Sequence, residues 1–247
     1  FSLEKKLNEK TTLTAGLRIP YSFHFGKQDT VSFLNPDLTS TQVIYQKNKI
    51  YDFLVSADPR LLLNYKVGKK DQLSFSTGIT SQHTHLVNYQ NQFLTVGIWT
   101  TSKRFLKPER TLSTSFGWVH QEKIMQFSAT GYFRYTTNVI DFAQPIAVVS
   151  QDIESNLLSG NLLAYGIECQ LNFTPNKKYS ASLAYTFAKT HQTIEGINGG
   201  NPYPALFDRP HYVNFNQYID FNEKWKIATN TIFHSGSAVT LPSGQFM

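Results

Sequence analysis

The chain has 247 residues, of which 40% are hydrophobic and 14% are aromatic, and this blend favours strands over helices. No stretch approaches about eighteen consecutive apolar residues, which excludes a transmembrane helix but not the alternating strands of a membrane barrel. The net charge of +6 comes from scattered residues, so we expect no nucleic-acid partner, and the single cysteine, Cys169, excludes an internal disulfide.

Five short polar turns, each carrying lysine, are spaced at about fifty residues and indicate a repeated architecture. The first and last read LNEKT and FNEKW, and the others read VGKKD, QEKIM and PNKKY. Apolar and polar residues alternate around each turn, which predicts strands with one apolar face. After the first turn the alternation predicts a single long strand from Leu13 to Phe25. A helical stripe at i, i+3 and i+4 is absent from these segments, so we expect about ten antiparallel strands.

The connections at the other end of the strands are long, over residues 26–50, 89–108, 143–161 and 197–207. Short turns at one end and long loops at the other are typical of an outer-membrane barrel, whose short turns face the periplasm. A soluble β-sandwich would mix its loop lengths between the two ends. The pattern therefore predicts an all-β, antiparallel, up-and-down transmembrane β-barrel.

The two faces of the predicted strands differ in chemistry. One face carries small polar residues together with Arg18, Asp58, Arg60 and Glu168, and we predict that it lines a water-filled or plugged lumen. The other face carries apolar side chains for contact with lipid. Aromatic residues at the strand ends fit the two interfacial girdles of a barrel: Phe25, Tyr65, Phe173, Tyr179, Phe221 and Trp225.

Candidate ligand-binding residues lie in the loops predicted to face outward. The aromatic side chains of Trp99, Tyr203 and Phe207 suit stacking on a ligand. Asp208 and Arg209 stand at the start of the next strand, where the lumen would open. For these two residues a structural ion pair is a stronger interpretation than a catalytic dyad.

Catalytic and metal-binding chemistry finds little support in the sequence. His83 and His85 stand two apart, so both imidazoles would point the same way on a strand, but a third metal ligand is not near in the sequence. No Ser/His/Asp or Cys/His arrangement stands out. We therefore predict no enzymatic activity, no metal and no cofactor, and an outer-membrane lipase or protease is the weak alternative.

Five segments resemble the barrel of TonB-dependent outer-membrane receptors. They are SADPRLLLNYKVGKKDQLSFSTG (56–78), RFLKPERTLSTSFGW (104–118), LLAYGIECQLNF (162–173), EGINGGNPYPALFDRPHYVNF (195–215) and FHSGSAVTLPSGQF (233–246). Within them the PR, KPE, YGIE and DRPH steps resemble strand beginnings of that family. The resemblance covers essentially the whole chain, in order, so we interpret residues 1–247 as one partial barrel domain.

The resemblance implies active import of a nutrient across the cell outer membrane, through a 22-stranded barrel closed by an N-terminal plug domain. It implies as partners TonB and its inner-membrane energising complex, acting through the TonB box of the plug, together with outer-membrane lipid. A surface lipoprotein is a further partner in importers of glycans or peptides. No segment of the chain resembles a plug, a TonB box or a signal sequence, so we expect about ten strands here and the others elsewhere in a longer natural protein.

Two alternatives to the energised receptor remain. A passive porin-like channel, or a structural barrel component of an outer-membrane complex, accounts for the alternation equally well, whereas the five segments favour the receptor. A soluble β-sandwich binding protein ranks third. The cargo, whether siderophore, glycan or peptide, has no recognisable motif in the chain.

Overall fold

The computed structural model describes residues 1–25, 29–34, 40–45, 49–90, 95–103, 106–142 and 157–238, and antiparallel strands make up most of them. In chain order the strands are β1 (Ser2–Lys6), β2 (Thr11–Arg18), β3 (Tyr21–Phe25), β4 (Asp29–Leu34), β5 (Ser40–Tyr45), β6 (Ile50–Val55), β7 (Asp58–Lys66), β8 (Asp71–Gln82), β9 (Thr84–Gln90), β10 (Thr95–Thr101), β11 (Glu109–Gln121), β12 (Met125–Phe142), β13 (Leu157–Asn176), β14 (Tyr179–Ile194), β15 (Tyr203–Pro204), β16 (His211–Asp220) and β17 (Lys226–His234). A 3-10 turn, Asn198–Gly200, lies between β14 and β15, and no helix in the described ranges is long and apolar enough to cross a membrane.

Ten of these strands form one antiparallel sheet. Their order across the sheet is the same as their order along the chain, with the other strands lying in the connections between them. Its order is β1-β2-β7-β8-β11-β12-β13-β14-β16-β17, and the two-residue strand β15 pairs with β14 beside this path. β1 and β17 lie at the two edges of the sheet. The strand number and the up-and-down order confirm the fold class predicted from the alternation.

The five predicted turns all join neighbouring strands at one end of this sheet, which we call the turn end. In three of them an asparagine Oδ1 accepts hydrogen bonds from the backbone N–H groups two and three residues further on. The distances are 2.9 and 2.8 Å at Asn8, 2.8 and 3.0 Å at Asn176, and 2.9 and 3.0 Å at Asn222. The shared asparagine is the physical reason why LNEKT, PNKKY and FNEKW read alike.

Three of the four predicted long loops contain whole strands, and in residues 197–207 this is β15, which pairs with β14. Residues 26–50 include β4 and β5, which pair with each other, and residues 89–108 include β10, which pairs with β9. The continuous strand predicted from Leu13 to Phe25 is wrong, because β2 and β3 are separated at Ile19 and Pro20. Pro20 cannot donate to a strand ladder, and β3 pairs with β6 in a separate two-stranded sheet.

The longest strands extend well beyond a membrane crossing. β12 has 18 residues, β13 has 20 and β14 has 16, whereas a tilted barrel strand crosses the hydrocarbon core with about 9–11. β13 begins inside the connection predicted over 143–161, of which 143–156 lie outside the described residues. The YGIE step at Tyr165 therefore lies within a strand and does not open one, whereas β7, β11 and β16 do begin at the PR, KPE and DRPH steps.

Buried side chains occur, among the described residues, at the outer end of the sheet, opposite the turn end. Apart from Ala205, the apolar ones form two clusters, one of Val87, Leu106, Phe142 and Leu157 and one of Val139, Leu158 and Ile194. The rest of the sheet is one layer thick. Among the described residues, a packed core therefore exists only where the strands continue past the membrane crossing.

The two clusters lie on opposite faces of the β12–β13 pair. Asn138, with a φ of 59°, is an extra residue in β12 and forms a bulge in the pairing with β13. Beyond the bulge Val139 lies opposite Gly160 and Phe142 lies opposite Leu157, so alternation places Val139 and Phe142 on opposite faces. The outer part of this strand pair is therefore covered on both sides.

Candidate functional site

One face of the ten-stranded sheet is polar. Residues directly opposite each other in neighbouring strands share a face, and the register gives one such row on this face: Gly16, Arg60, Gly78, Ser113, Arg134, Ala164 and Thr190. The residues predicted to line the lumen lie on the same face, because each is in this row or an even number of residues from one of its members: Arg18, Asp58, Arg60 and Glu168. The structure therefore brings all four to one surface.

Small residues make room for long side chains on the polar face. A Cβ added to Gly16 would lie 2.6 Å from Nε of Arg60, and one added to Gly166 would lie 2.8 Å from the hydroxyl oxygen of Tyr132. The guanidinium carbon of Arg134 lies 4.9 Å from the centroid of the Tyr132 ring, a cation–π distance. Arg60 and Tyr132 therefore lie along the sheet, which keeps the space above the polar face open.

The opposite face is apolar and exposed. Its large side chains include Leu61, Phe75, Leu112, Phe116, Phe133, Tyr165, Ile167, Leu183 and Phe233. A soluble monomer rarely exposes an apolar patch of more than a few hundred Å², and the described residues contain no second layer that covers this face. The arrangement is that of a sheet with lipid on one side, and it disfavours the soluble β-sandwich.

Charged groups lie beside an aromatic residue at the turn end of β8 and β11. Asp71 accepts a hydrogen bond from the indole N–H of Trp118 at 3.0 Å and lies 2.8 Å from Nδ1 of His120. In the adjoining turns the ammonium of Lys70 bonds to Glu122 and holds the pKa of that carboxyl below its ordinary value. A tryptophan among partly exposed charges is typical of the interfacial girdle of a membrane protein.

Three of the five predicted ligand-binding residues are exposed at the outer end. Trp99 on β10 is 69% exposed and lies opposite Leu86, which is also exposed. Phe207 is 63% exposed, and Arg209 is exposed beside it in the connection from β14 to β16. These three side chains are therefore in contact with solvent in this structure.

The other two, Tyr203 and Asp208, are engaged within the protein. The Tyr203 hydroxyl donates to Oδ2 of Asp141 at 3.1 Å. Burial raises the pKa of Asp141, and burial together with the Asp141 carboxyl raises the pKa of Tyr203. Asp208 is 6% exposed, accepts the backbone N–H of Thr190 at 2.8 Å, and lies 3.7 Å from the ammonium of Lys189. The cation beside Asp208 is therefore Lys189, from β14.

His83 and His85 make separate contacts. Each ring lies between two side chains: His83 between Ser22 and Ser56, and His85 between Ser102 and Glu109. The nitrogen–oxygen distances are 3.1 and 3.0 Å for His83 and 2.7 and 3.1 Å for His85. In the part of the chain that the structure describes, no group of three or more His, Cys, Asp and Glu residues is placed to hold a metal ion. The two histidines tie the outer strands to the main sheet.

Nearly the whole chain matches one protein family. Residues 1–244 fit the family model described as TonB dependent receptor-like, beta-barrel. The chain belongs to this family. It is therefore part of an outer-membrane β-barrel, and the resemblance carried by the five sequence segments is confirmed. TonB-dependent receptors are transporters and not enzymes, which agrees with the prediction made from the sequence.

Solved structures similar to this receptor chain share its fold at low sequence identity. The alcaligin outer-membrane receptor FauA from Bordetella pertussis is 14% identical with a TM-score of 0.59, over 94% of this chain and 36% of that one. The ferric yersiniabactin uptake receptor FyuA from Yersinia pestis is 12% identical with a TM-score of 0.60, over 94% and 33%. The FrpB iron transporter from Neisseria meningitidis is 10% identical with a TM-score of 0.57, over 89% and 30%. The chain thus spans about a third of the length of these structures, and a search of curated proteins gave no match.

Sequence reasoning misses Asp141, the partner of Tyr203. Its position depends on the Asn138 bulge, which shifts every later residue of β12 to the other face. The one sequence signal of the bulge is the asparagine itself. Asparagine tolerates positive φ better than most residues, and Asn138 stands in the middle of the strand sequence TTNVIDF. The contact between β12 and a loop some sixty residues later has no local signature.

Proposed function

We propose that this chain is part of the barrel of a receptor that imports a nutrient ligand actively across the outer membrane. The observation that supports the proposal most is the sheet itself, in which ten strands present a polar face on one side and an apolar face on the other. A membrane barrel with lipid outside and a polar lumen inside has this arrangement. The family match over residues 1–244 favours a receptor over a passive channel.

In this proposal Arg18, Asp58, Arg60 and Glu168 face the lumen, and residues 1–247 form one partial barrel domain. The lumen wall then carries charges of both signs among small hydroxyl-bearing residues, such as Ser76 and its partner Ser115, whose Oγ atoms lie 2.7 Å apart. Such a wall binds polar groups through hydrogen bonds and does not select one sign of charge.

The energy for import comes from TonB and its inner-membrane complex, acting through an N-terminal plug domain of the full-length protein. Outer-membrane lipid contacts the apolar face. A surface lipoprotein joins the receptor if the cargo is a glycan or a peptide.

Trp99, Phe207 and Arg209 are the direct ligand contacts in this proposal. Exposed aromatic side chains at the outer end, beside an exposed cation, offer stacking and charge to an arriving ligand. Tyr203 and Asp208 contribute indirectly, because their buried bonds fix the backbone on either side of Phe207. The ligand site is thus preorganised.

Uptake by the full-length protein tests the proposal. Cells that lack their own copy receive the gene, and labelled siderophores, glycans and peptides are offered with TonB present and with TonB deleted. We expect concentrative uptake of one of these classes, and only with TonB present. Entry of many small solutes that persists without TonB would instead support the porin-like channel.

A pair of phenylalanine variants tests the ligand site. Phe207→Ala removes an exposed ring at the outer end, and Phe221→Ala removes one of similar exposure at the turn end. We expect Phe207→Ala to raise the ligand concentration for half-saturation about tenfold, as loss of an interface aromatic often does. Phe221→Ala is expected to leave it unchanged, and an equal effect of both variants would contradict the site.

A further inference from the structure

We propose that residues 195–210 form a strap along the outer end of β14, and that the Tyr203 side chain holds it in place by reaching over the polar face to bond with Asp141. The strap thereby fixes the width of the entrance on this side of the barrel. This inference rests on the proposed function and gives Asp141 a positioning role in it.

The anchor on β12 lies on the polar face. Asp141 is two residues from Val139, Val139 lies opposite Gly160, and Gly160 lies opposite Ile194. Gly160 is four residues before Ala164, a member of the polar row, so all of these residues share its face. The side chain of Tyr203 must therefore reach over the polar face to contact Asp141.

The anchor on the strap lies on the same face. Tyr203 pairs with Gln192 of β14, and Gln192 pairs with Leu162 of β13, two residues from Gly160. The strands β13 and β14 stand between β15 and β12 in the sheet. The side chains of Tyr203 and Asp141, joined by a hydrogen bond of 3.1 Å, therefore reach over β13 and β14 on the polar face.

Further contacts hold the strap in place. Ile197 packs on the cluster of Val139, Leu158 and Ile194, and Ile194 is fully buried. The backbone N–H of Ala205, another fully buried residue, donates to the carbonyl oxygen of Thr190 at 3.0 Å. A loop with apolar burial and ladder bonds of this kind keeps one position.

The Tyr203–Asp141 bond matters for the position of the strap because Asp141 is half-buried. A buried carboxyl group that loses its hydrogen-bond partner costs more than the bond itself contributed. The raised pKa of Asp141 agrees with this burial. Removing either partner should therefore loosen the strap and not merely remove one contact.

Hydrogen exchange of the strap tests the inference directly. In the full-length receptor, reconstituted in lipid, the amides of Ala205 and Asp208 are compared between the parent and the variants Asp141→Ala and Tyr203→Phe. We expect exchange at both amides to become about tenfold faster in each variant. Unchanged exchange in both variants would overturn the proposal.

Two controls separate loosening of the strap from general damage. Tyr203→Phe keeps the ring and its packing and removes only the hydroxyl group. Asp220→Asn changes a carboxylate at the turn end, whose Oδ2 lies 3.5 Å from the Lys226 ammonium, and should leave strap exchange at the parent rate. Faster strap exchange in Asp220→Asn as well would show a global effect and would contradict the specific anchor.

Ligand binding gives an independent readout. With the strap released, we expect half-saturation to require several-fold more ligand, while TonB-dependent uptake persists. Failure of the parent protein to take up any cargo would overturn the proposed function, and the exchange experiment would still decide the strap.

Discussion

The two ends of the strands are stabilised by different means. At the turn end, asparagine side chains close the turns and partly exposed charges pair beside Trp118, and no side chain described there is buried. At the outer end, apolar side chains pack in two clusters, and His85 and Asp208 are buried with their hydrogen bonds made. The turn end thus depends on local contacts and the outer end on distant ones, and the candidate ligand residues lie at the end that is fixed by packing.

The largest expected difference between the ends concerns two isoleucines. Ile194 is 0% exposed in an outer cluster, and Ile124 is 44% exposed in a turn. Ile194→Ala should destabilise the outer end by about 2–5 kcal/mol, because it leaves a cavity, and Ile124→Ala by less than about 1 kcal/mol. Hydrogen exchange of β14 and of β12, measured in both variants of the full-length protein, gives these values. An equal loss of unfolding free energy in the two variants would contradict the claim that packing stabilises the outer end more than the turn end.

Two histidines extend the comparison of the two ends to buried and exposed polar groups. His85 and His120 each lie near a carboxylate, at 3.1 Å from Glu109 and 2.8 Å from Asp71. His85→Ala leaves the buried Ser102 hydroxyl without its partner and should cost about 1–3 kcal/mol. His120→Ala should have no measurable effect, because Asp71 keeps its bond from Trp118 and is in contact with water. Denaturant unfolding of the two variants would contradict the comparison if His120→Ala proved the costlier.

The asparagine turns are expected to give a smaller effect. Asn222→Ala removes the acceptor of two backbone bonds and should cost about 1 kcal/mol, with the pairing of β16 and β17 unchanged. Asn222→Asp keeps an acceptor oxygen in the same place and serves as the control. A shift of register in Asn222→Ala, detected by exchange along β17, would mean that the turn specifies the strand pairing and does not merely stabilise it.

The smallest expected effect is the pH response of the Lys70–Glu122 pair. Because Lys70 lowers the pKa of Glu122 in the folded state, the pair stabilises the fold above the unfolded glutamate pKa of about 4.3. That contribution is lost as the pH falls through the lower folded value. Lys70→Ala should raise the pKa of Glu122, as followed by titration of the carboxyl group, and Lys70→Arg should not. At neutral pH the unfolding midpoint of Lys70→Ala should lie only slightly below that of the parent, since the pair is exposed.

The parts of the fold that the sequence predicts are those with local causes. The turns at Asn8, Asn176 and Asn222 depend on bonds to residues two or three positions away. The polar face follows from alternation, which needs only neighbouring residues. Where one residue breaks the alternation the prediction fails, as at Pro20, which ends the strand predicted to reach Phe25.

The outer site is less predictable because its contacts join distant segments. Trp99 and Phe207 are exposed, and their role in ligand binding stays a prediction, whereas the inward direction of Tyr203 depends on Asp141, sixty-two residues earlier. The spacing of His83 and His85 predicts that both imidazole rings point to the same face of one strand. The structure instead places His83 between β8 and β9, so the two rings meet different partners.

The bulge at Asn138 reverses the alternation of side chains between the two faces where the membrane part of β12 meets its outer part. Because of this one unpaired residue, Asp141 comes to the polar side and Phe142 to the other. Deleting Asn138 would exchange the two faces of the outer part of β12 alone, and both clusters and the strap anchor would lose their β12 partners together. An engineered β12 can therefore be lengthened beyond this point by two residues, but a change of one inverts everything that its outer end displays.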